Sequence, residues 1–379
     1  MIYSDFLGNN VSMMGMGCMR FPVTGGDADI DEPAAKEMID YAFDHGVNYF
    51  DTAWGYHGGN SELVVGRALA AHPRDSFYLA TKFPSYDVSN FGKHQQIFEK
   101  QLEKCQVEYF DYYLLHNICE TNIEQYMAED TYHTVAYFQE QKAQGRIKHL
   151  GFSVHGNFDV FKRFMDKFGD IMEFCQVELN YFDWSFQDAK AKVEYLNERN
   201  IPIVVMEPLR GGYLVNLKDE YREKLQAANP ARSNVEWALR WLQGIDGVSV
   251  VLLGSSTLEQ LQQNIDLFAE RKPLTEAENG VLAQVADLMA HEKGLPCTAC
   301  HYCVSHCPVG LDIPYLIGLY NEHLTKDPSQ GFIAPMAVAA LPEDKRPSAC
   351  IACDSCREVC PQDLPISEFL AEFAETVEQ

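Results

Sequence analysis

The chain has 379 residues, of which 46% are hydrophobic and 22% are charged, and its formal net charge is -25. This length suits one large domain followed by a small one. The negative charge excludes a nucleic-acid partner, since the phosphates would repel it, and no apolar run is long enough to cross a bilayer.

Strand-like and helix-like segments alternate from about residue 10 to residue 270. The predicted strands are Met13–Gly17, Val47–Thr52, Phe77–Lys82, Tyr109–His116, Ile147–Ser153, Phe174–Asn180, Ile201–Met206 and Val248–Leu253. The predicted helices between them include Pro33–His45, Ser61–Ala71, His94–Cys105, Thr131–Gln144 and Leu258–Phe268. Alternation implies a parallel sheet, and eight such units favour a closed (β/α)8 barrel of the α/β class. A hairpin, Tyr3–Leu7 with a Gly8-Asn9-Asn10 turn before Val11, is expected to plug the barrel floor.

The remainder of the chain predicts a small, mainly helical domain. Glu276–His291 and Ile313–Leu324 have helical periodicity, whereas Pro328–Pro347 is rich in turn residues. We predict a barrel over residues 1–272, a linking helix over 273–294 and the small domain over 295–379.

Two cysteine runs near the end of the chain share the spacing C-x2-C-x2-C-x3-C-P. The first comprises Cys297, Cys300, Cys303 and Cys307, and the second comprises Cys350, Cys353, Cys356 and Cys360. This spacing is typical of two-cluster [4Fe–4S] proteins, in which the fourth cysteine of each run ligates the other cluster. The expected ligand sets are Cys297, Cys300, Cys303 and Cys360 for one cluster, and Cys350, Cys353, Cys356 and Cys307 for the other.

Disulfides and structural zinc are the competing interpretations of these cysteines. Disulfides need an oxidising compartment, yet no signal-peptide pattern follows Met1. Zinc sites usually take two separated pairs of ligands, which these runs do not form. We therefore expect two [4Fe–4S] clusters in a reducing cytoplasm. The other four cysteines, at positions 18, 105, 119 and 175, have no ligand spacing and are expected to be buried thiols.

Four polar residues stand at or just beyond the carboxyl ends of predicted strands, where barrel active sites lie. Asp51, Lys82 and His116 end their strands, and Tyr56 follows five residues after Asp51. A tyrosine is a poor acid at neutral pH, but a nearby lysine cation lowers its pKa. Asp51 would hold Lys82, and His116 would orient a substrate carbonyl.

The segments around these residues resemble the aldo-keto reductases over about residues 5 to 270. The resemblance rests on Asp51-Thr-Ala-Trp-Gly-Tyr56, Leu79-Ala-Thr-Lys82, Asp111-Tyr-Tyr-Leu-Leu-His116, Gly151-Phe-Ser153 and Gln176-Val-Glu-Leu-Asn180. It implies that Tyr56 donates a proton while hydride comes from a nicotinamide. It also implies a set of cofactor contacts: Ser153 and Gln176 with the carboxamide, Met206 and Leu209 beside the ring, and Gly254, Ser255, Gln263 and Asn264 in the phosphate-binding block.

The sequence departs from that family's pattern in three ways. Met206 replaces the aromatic residue that usually stacks on the nicotinamide, and Val154 replaces an asparagine, with His155 beside it. The phosphate-binding block lacks the Arg and Lys that hold the 2′-phosphate of NADPH. NADH is therefore favoured within NAD(P)H, with Arg210 a candidate for a basic residue reaching in from elsewhere.

Clusters transfer single electrons whereas nicotinamide transfers two, so a flavin is a possible intermediary, although no G-x-G-x-x-G fingerprint is present. The sequence thus predicts an oxidoreductase that interconverts a small-molecule carbonyl and an alcohol, with two clusters for electron transfer and a possible redox partner protein. The alternative is an electron-transfer subunit whose barrel is a docking scaffold. A non-redox protein resembling the potassium-channel β-subunits is disfavoured by the cysteine runs.

Overall fold

The computed structural model describes residues 1–293, 295, 297, 303–325, 332–360 and 364–378. It divides into two compact units, Met1–Pro208 with Val235–Asn279, and Leu209–Asn234 with Gly280–Gln379. The domain boundaries expected from the sequence stay a prediction. Among the described helices, none is both long and apolar enough to span a membrane.

The first unit is built on a closed eight-stranded parallel barrel, which confirms the predicted fold class. Its strands and those of the preceding hairpin are β1 (Tyr3–Phe6), β2 (Asn9–Ser12), β3 (Met14–Gly17), β4 (Tyr49–Asp51), β5 (Tyr78–Phe83), β6 (Phe110–Ile118), β7 (Ile147–Val154), β8 (Cys175–Glu178), β9 (Ile203–Met206) and β10 (Val248–Leu253). Strands β3 to β9 pair in chain order, and β10 closes the barrel between β9 and β3. All eight predicted barrel strands are present because their apolar runs are buried by the helices around them and by the barrel interior.

The β1–β2 hairpin caps the interior of the barrel, as predicted. Phe6 is fully buried and stacks on Tyr112 with ring centroids 4.6 Å apart. The Tyr112 hydroxyl also donates to the Phe6 carbonyl oxygen at 3.1 Å. The turn itself is Leu7-Gly8 rather than the expected Gly8-Asn9-Asn10. Both turn residues have positive φ, 57° and 83°, which is the geometry of the tight turn that matches strand twist.

Helices surround the barrel and make up most of the second unit. In chain order they are α1 (Glu32–Asp44), α2 (Ser61–Leu69), α3 (His94–Cys105), α4 (Ile123–Met127), α5 (Glu129–Tyr132), α6 (Thr134–Ala143), α7 (Phe158–Phe168), α8 (Asp183–Phe186), α9 (Ala189–Glu198), α10 (Asp219–Ala228), α11 (Asn234–Leu242), α12 (Leu258–Leu267), α13 (Glu276–Lys293), α14 (Ile313–Thr325), α15 (Ile333–Ala340), α16 (Ser355–Glu358) and α17 (Ile366–Val377). The single helix predicted over Thr131–Gln144 is wrong, because His133 has a left-handed φ of 53° and separates α5 from α6.

The second unit has its own apolar core, formed mainly by α14, α15 and α17. Ile317 on α14, Val338 on α15 and Phe373 on α17 are each at most 2% exposed within this core. Helix α15 corrects the prediction of turns throughout Pro328–Pro347, part of which lies outside the described residues. Pro335 is the third residue of α15, in the first turn, where no intrahelical partner for a backbone N–H is needed.

Candidate functional site

Three neighbouring strands bring the predicted catalytic residues together at one end of the barrel. Asp51 is the last residue of β4, Lys82 lies near the end of β5, and His116 lies near the end of β6. In the parallel register, Asp51 pairs with Ala80 and Lys82 pairs with Leu114. Tyr56 begins the 3-10 turn that follows β4. The four residues therefore occupy the carboxyl end of the barrel, where (β/α)8 enzymes place their chemistry.

Lys82 is the centre of this group. Its ammonium donates to the Asp51 carboxylate at 2.5 Å, to the Thr52 carbonyl oxygen at 2.8 Å and to the Tyr56 hydroxyl at 3.3 Å. The Lys82 side chain is 0% exposed and that of Asp51 is 2% exposed. A buried ammonium with three oxygen partners satisfies its hydrogen-bonding capacity and stays charged beside the tyrosine.

Burial and charge act in opposite directions on Tyr56. Burial raises the pKa of Tyr56, and the Lys82 ammonium opposes this rise without cancelling it. The lysine cation thus acts in the expected direction, but burial outweighs it, so the pKa of Tyr56 is raised overall. Burial opposes the charge of Lys82 as well, but Asp51 and Tyr56 together raise the pKa of Lys82. Tyr56 is thus a protonated hydroxyl held against a permanent cation.

His116 faces Tyr56 edge-on, with ring centroids 6.0 Å apart. Burial, and then the charges of Lys82 and His155, hold the pKa of His116 well below its ordinary value. Its Nδ1 atom is buried and has no hydrogen-bond partner in the described part of the protein. A neutral imidazole with a spare nitrogen can bind a substrate oxygen without adding a second positive charge.

The residues expected to hold the nicotinamide lie on adjacent strands next to this group. Ser153 on β7 pairs in register with Gln176 on β8. The Ser153 hydroxyl accepts from the Asn117 backbone N–H at 2.8 Å, and the Gln176 amide lies 3.4 Å from the Met206 sulfur. Gln176 is 1% exposed, and its Oε1 atom is buried without a partner among the described residues. A buried oxygen without a hydrogen-bond donor can accept a hydrogen bond from the N–H of a carboxamide.

The expected phosphate-binding residues lie where β10 leads into α12. Ser255 and Asn264 are buried and joined by a hydrogen bond of 3.2 Å. Gly254 is exposed, and so is Gln263, which bonds to Glu259 at 3.3 Å rather than turning inward. Gly254 and Ser255 therefore precede α12, Asn264 bonds from within the helix to Ser255, and Gln263 lies on the solvent side of the helix.

Two expected contacts fall in the second unit. Leu209 is half-buried there. Arg210, the candidate for an additional basic residue, is 1% exposed and forms an ion pair with Glu322 of α14. Its charge is therefore already paired inside that unit, and its contact with a phosphate stays a prediction.

A histidine and two glutamates meet beyond the ends of β7, β8 and β9, and the sequence analysis names only the histidine. Ligand atoms of His155, Glu178 and Glu207 all lie within 4.8 Å of one another. His155 Nδ1 is 3.3 Å from Glu178 Oε2, and both side chains are buried. The sequence places His155 next to Val154 and predicts that it faces the pocket. Glu178 ends β8 and Glu207 follows β9. Polar residues at the carboxyl ends of barrel strands are candidates for a functional site, so this position is the sequence signal for both glutamates.

The cysteine runs lie in the second unit. Cys307, Cys350, Cys353 and Cys356 line one cavity, with Leu311 and Leu370 among its apolar neighbours. These four thiols are the set expected from the spacing rule, and their convergence fits a [4Fe–4S] cluster.

The second expected set is described only in part. Cys297, Cys303 and Cys360 border the apolar core of the unit, whereas Cys300 lies outside the described residues. The four remaining cysteines, at positions 18, 105, 119 and 175, are all buried, as predicted.

Comparison with known proteins identifies both parts of the chain. The profile of the aldo/keto reductase family matches residues 13–287, and that of a 4Fe-4S dicluster domain matches residues 296–364. The uncharacterized oxidoreductase YqkF of Bacillus subtilis is 27% identical over 319 residues, which are 75% of this chain and 94% of the relative. The NADH-specific methylglyoxal reductase of Escherichia coli is 24% identical over 329 residues, covering 74% of this chain and 97% of the relative.

Solved structures agree with the sequence comparison. The holo form of an aldo-keto reductase from Bacillus halodurans superposes with a TM-score of 0.60 at 25% identity, covering 73% of this chain and 93% of that structure. The oxidoreductase resemblance expected from the sequence is thereby confirmed. The chain belongs to the aldo/keto reductase family, and its barrel is followed by a 4Fe-4S dicluster domain.

Proposed function

We propose that the protein interconverts a small-molecule carbonyl and an alcohol, using NAD(P)H and with two [4Fe–4S] clusters for electron transfer. One observation carries the catalytic part of this proposal. The buried Lys82 ammonium contacts both the Asp51 carboxylate, at 2.5 Å, and the Tyr56 hydroxyl, at 3.3 Å. A barrel serving only as a docking scaffold would have no need of a buried cation beside a tyrosine.

In reduction, Tyr56 gives its hydroxyl proton to the substrate oxygen. The tyrosinate that remains is stabilised by the Lys82 ammonium, which Asp51 holds in place. The neutral His116 orients the carbonyl oxygen toward Tyr56. When bound, the dinucleotide supplies hydride, and the chain contributes Ser153 and Gln176 to hold its carboxamide.

NADH is the favoured dinucleotide. The segment Gly254–Asn264 contains no Lys or Arg, and Arg210 is paired with Glu322. The 2′-phosphate of NADPH is a dianion that binds poorly without a basic partner. The name of the Escherichia coli relative, an NADH-specific reductase, agrees with this preference.

The clusters supply single electrons, and the eight cysteines of the two runs are proposed to hold them. The convergence of Cys307 with Cys350, Cys353 and Cys356 supports one of the two ligand sets. Exchange between clusters and dinucleotide needs a two-electron carrier such as flavin. The purified protein should therefore be assayed for flavin as well as for iron and sulfide.

The test of the catalytic assignment is Tyr56→Phe, with Tyr137→Phe on α6 as a matched control. Carbonyl reduction by NADH should fall by about 100-fold or more in Tyr56→Phe, since positioned general acids contribute about 10²–10⁴. Iron content and cluster absorbance should equal those of the unaltered protein, because Tyr56 is remote in sequence from the cysteine runs. Unchanged turnover in Tyr56→Phe would overturn the assignment.

A further inference from the structure

A histidine and two glutamates of the first unit form a compact group that neither the tetrad nor the expected dinucleotide contacts include. We call His155, Glu178 and Glu207 the His155 group. Their ligand atoms all lie within 4.8 Å of one another. The side chain of His155 is 7% exposed and that of Glu178 is 5% exposed, so the group lies largely out of the solvent. Imidazole and carboxylate groups at this separation are the donors of many protein metal sites.

Adjacent strands of the barrel hold the three residues in place. Glu178 ends β8, and Glu207 directly follows β9, the neighbouring strand. The Glu207 carbonyl oxygen accepts from the amide of the buried Asn180 at 3.1 Å. His155 directly follows β7, and its backbone N–H donates to the Ile118 carbonyl oxygen at 3.2 Å. Ligands fixed at the ends of strands are held more precisely than ligands on loops, which favours a defined coordination geometry.

The distance between His155 and Glu178 matches the distance between two ligands of one ion. His155 Nδ1 lies 3.3 Å from Glu178 Oε2. Around a tetrahedral ion with bonds of about 2.0–2.2 Å, two ligand atoms are about 3.4 Å apart. The ligand atom of Glu207 lies within 4.8 Å of those of the other two residues, so it must move by at most about 1.4 Å. Rotation of a glutamate side chain between rotamers covers that distance.

A second histidine–glutamate pair in the same barrel has a different third member. His149, on β7, has its Nδ1 atom 3.2 Å from Glu173 Oε1. The Lys142 ammonium lies 2.5 Å from the other carboxylate oxygen of Glu173 and balances its charge. In the His155 group the third member is a second carboxylate instead of a cation. Two neighbouring carboxylates repel each other, and a divalent cation bound between them balances both charges.

The amide of Gln176, next to the group, indicates that a ligand binds on this side of β8. Gln176 precedes Glu178 by two residues, so the two side chains lie on the same face of the strand. Gln176 is 1% exposed, and its Oε1 atom is buried without a partner among the described residues. The His155 group therefore adjoins a region that is built to receive a ligand.

We propose that the His155 group binds one divalent transition-metal ion, such as Zn²⁺ or Mn²⁺, as a metal centre separate from the two clusters. One imidazole nitrogen and two carboxylates are a mixed donor set that suits these ions, whereas Ca²⁺ and Mg²⁺ prefer oxygen ligands throughout. Three protein ligands leave a coordination position for water or for an oxygen atom of a bound substrate. Binding of this ion requires neither the dinucleotide nor the clusters, so it does not depend on the proposed function.

The experiment is a titration of the full-length protein, purified without oxygen, with Mn²⁺ followed by electron paramagnetic resonance. Free hydrated Mn²⁺ is measured from its sharp spectrum, to which oxidised [4Fe–4S] clusters do not contribute. The unaltered protein should bind one Mn²⁺ per chain, and pulsed measurements should show coupling to an imidazole nitrogen. Glu207→Gln, at a half-buried position, should weaken Mn²⁺ binding by about tenfold or more, since loss of even an outer partner of a metal ligand costs about 10–100-fold. His155→Gln should weaken binding to a similar extent and abolish the nitrogen coupling.

His149→Gln is the matched control, because it removes a barrel histidine whose glutamate partner is already balanced by Lys142. This variant should keep both the Mn²⁺ affinity and the nitrogen coupling. Iron content and thermal unfolding establish that each variant is folded.

Three results would overturn the metal site. The first is the absence of bound Mn²⁺ in the unaltered protein at a concentration of about 1 mM. The second is equal affinity in Glu207→Gln and the unaltered protein, which would assign the ion to the acidic surface of a chain with a net charge of -25. The third is nitrogen coupling that persists in His155→Gln, which would place the ion at another histidine. Carbonyl reduction is not measured in this titration, so failure of the proposed function would leave each of these outcomes unchanged.

Discussion

Removal of the Lys82 charge is predicted to destabilise the barrel as well as abolish turnover. Lys82→Met keeps most of the side-chain volume but leaves the Asp51 carboxylate buried, at 2% exposure, without its cation. Breaking a buried ion pair from one side costs about 3–5 kcal/mol. Removing both charges, as in Lys82→Met/Asp51→Asn, leaves no uncompensated buried charge. The double variant should therefore be more stable than Lys82→Met, although it remains inactive.

Because the chain contains two compact units, a single unfolding midpoint would mix their contributions. Amide hydrogen exchange of peptides from β4 and β5 measures the free energy of opening of the barrel itself. Peptides from α17 serve as an internal control and should not change. A decrease of less than about 1 kcal/mol in the opening free energy of Lys82→Met would contradict a stabilising role of the buried ion pair. A double variant that loses the sum of the two single losses would contradict it as well.

Three further predictions concern a proton, a cluster and a cofactor contact. The pKa of His116 in the folded protein is held well below 6.5, so the unfolded chain takes up this proton at a higher pH than the folded protein does. The free energy of unfolding should therefore fall as the pH drops below about 6.5. His116→Gln should make this decline less steep, whereas substitution of the exposed His45 by Gln should not. Cys307→Ala should lower the iron content by about half, because one of two clusters is lost. The control is Cys175→Ala, which removes a buried thiol outside the runs. Equal iron content in the two variants would contradict the ligand set. Gln176→Leu should raise the NADH Kd by about tenfold, because Oε1 is buried and available as an acceptor; unaltered affinity would show that the carboxamide binds elsewhere.

The strands and the catalytic residues could be predicted from the sequence because both depend on local pattern. Buried parallel strands appear as continuous apolar runs, and polar residues at their ends identify the catalytic face of a barrel. Asp51, Lys82 and His116 were found in this way, and the structure brings them together with Tyr56. The eight ligand cysteines were equally accessible, since cluster ligation requires a short and distinctive spacing.

Other features depend on contacts between residues distant in sequence, or on degrees of burial, and could not be predicted. The separation of 3.3 Å between His155 Nδ1 and Glu178 Oε2 follows from the pairing of β7 with β8. The pKa of Tyr56 is raised because burial outweighs the nearby cation, a balance that no motif encodes. Helix α15 could not be predicted because the prolines in and around it suggested turns, although Pro335 lies in the first turn, where proline is tolerated.

Hydride from the nicotinamide, rather than electrons passed through the clusters, is proposed to reduce the carbonyl beside Tyr56 and Lys82. Isotope transfer distinguishes these two routes. NADH deuterated at C4, on one face and then on the other, is mixed with a small dicarbonyl such as methylglyoxal in ordinary water without oxygen. One of the two labelled forms should deliver deuterium to the carbinol carbon of the product, and Tyr56→Phe should lower the rate without changing this label. If the carbinol hydrogen came from water with both labelled forms, direct hydride transfer would be contradicted. Reduction through clusters or flavin would take that hydrogen from the solvent, so the deuterium label would be lost.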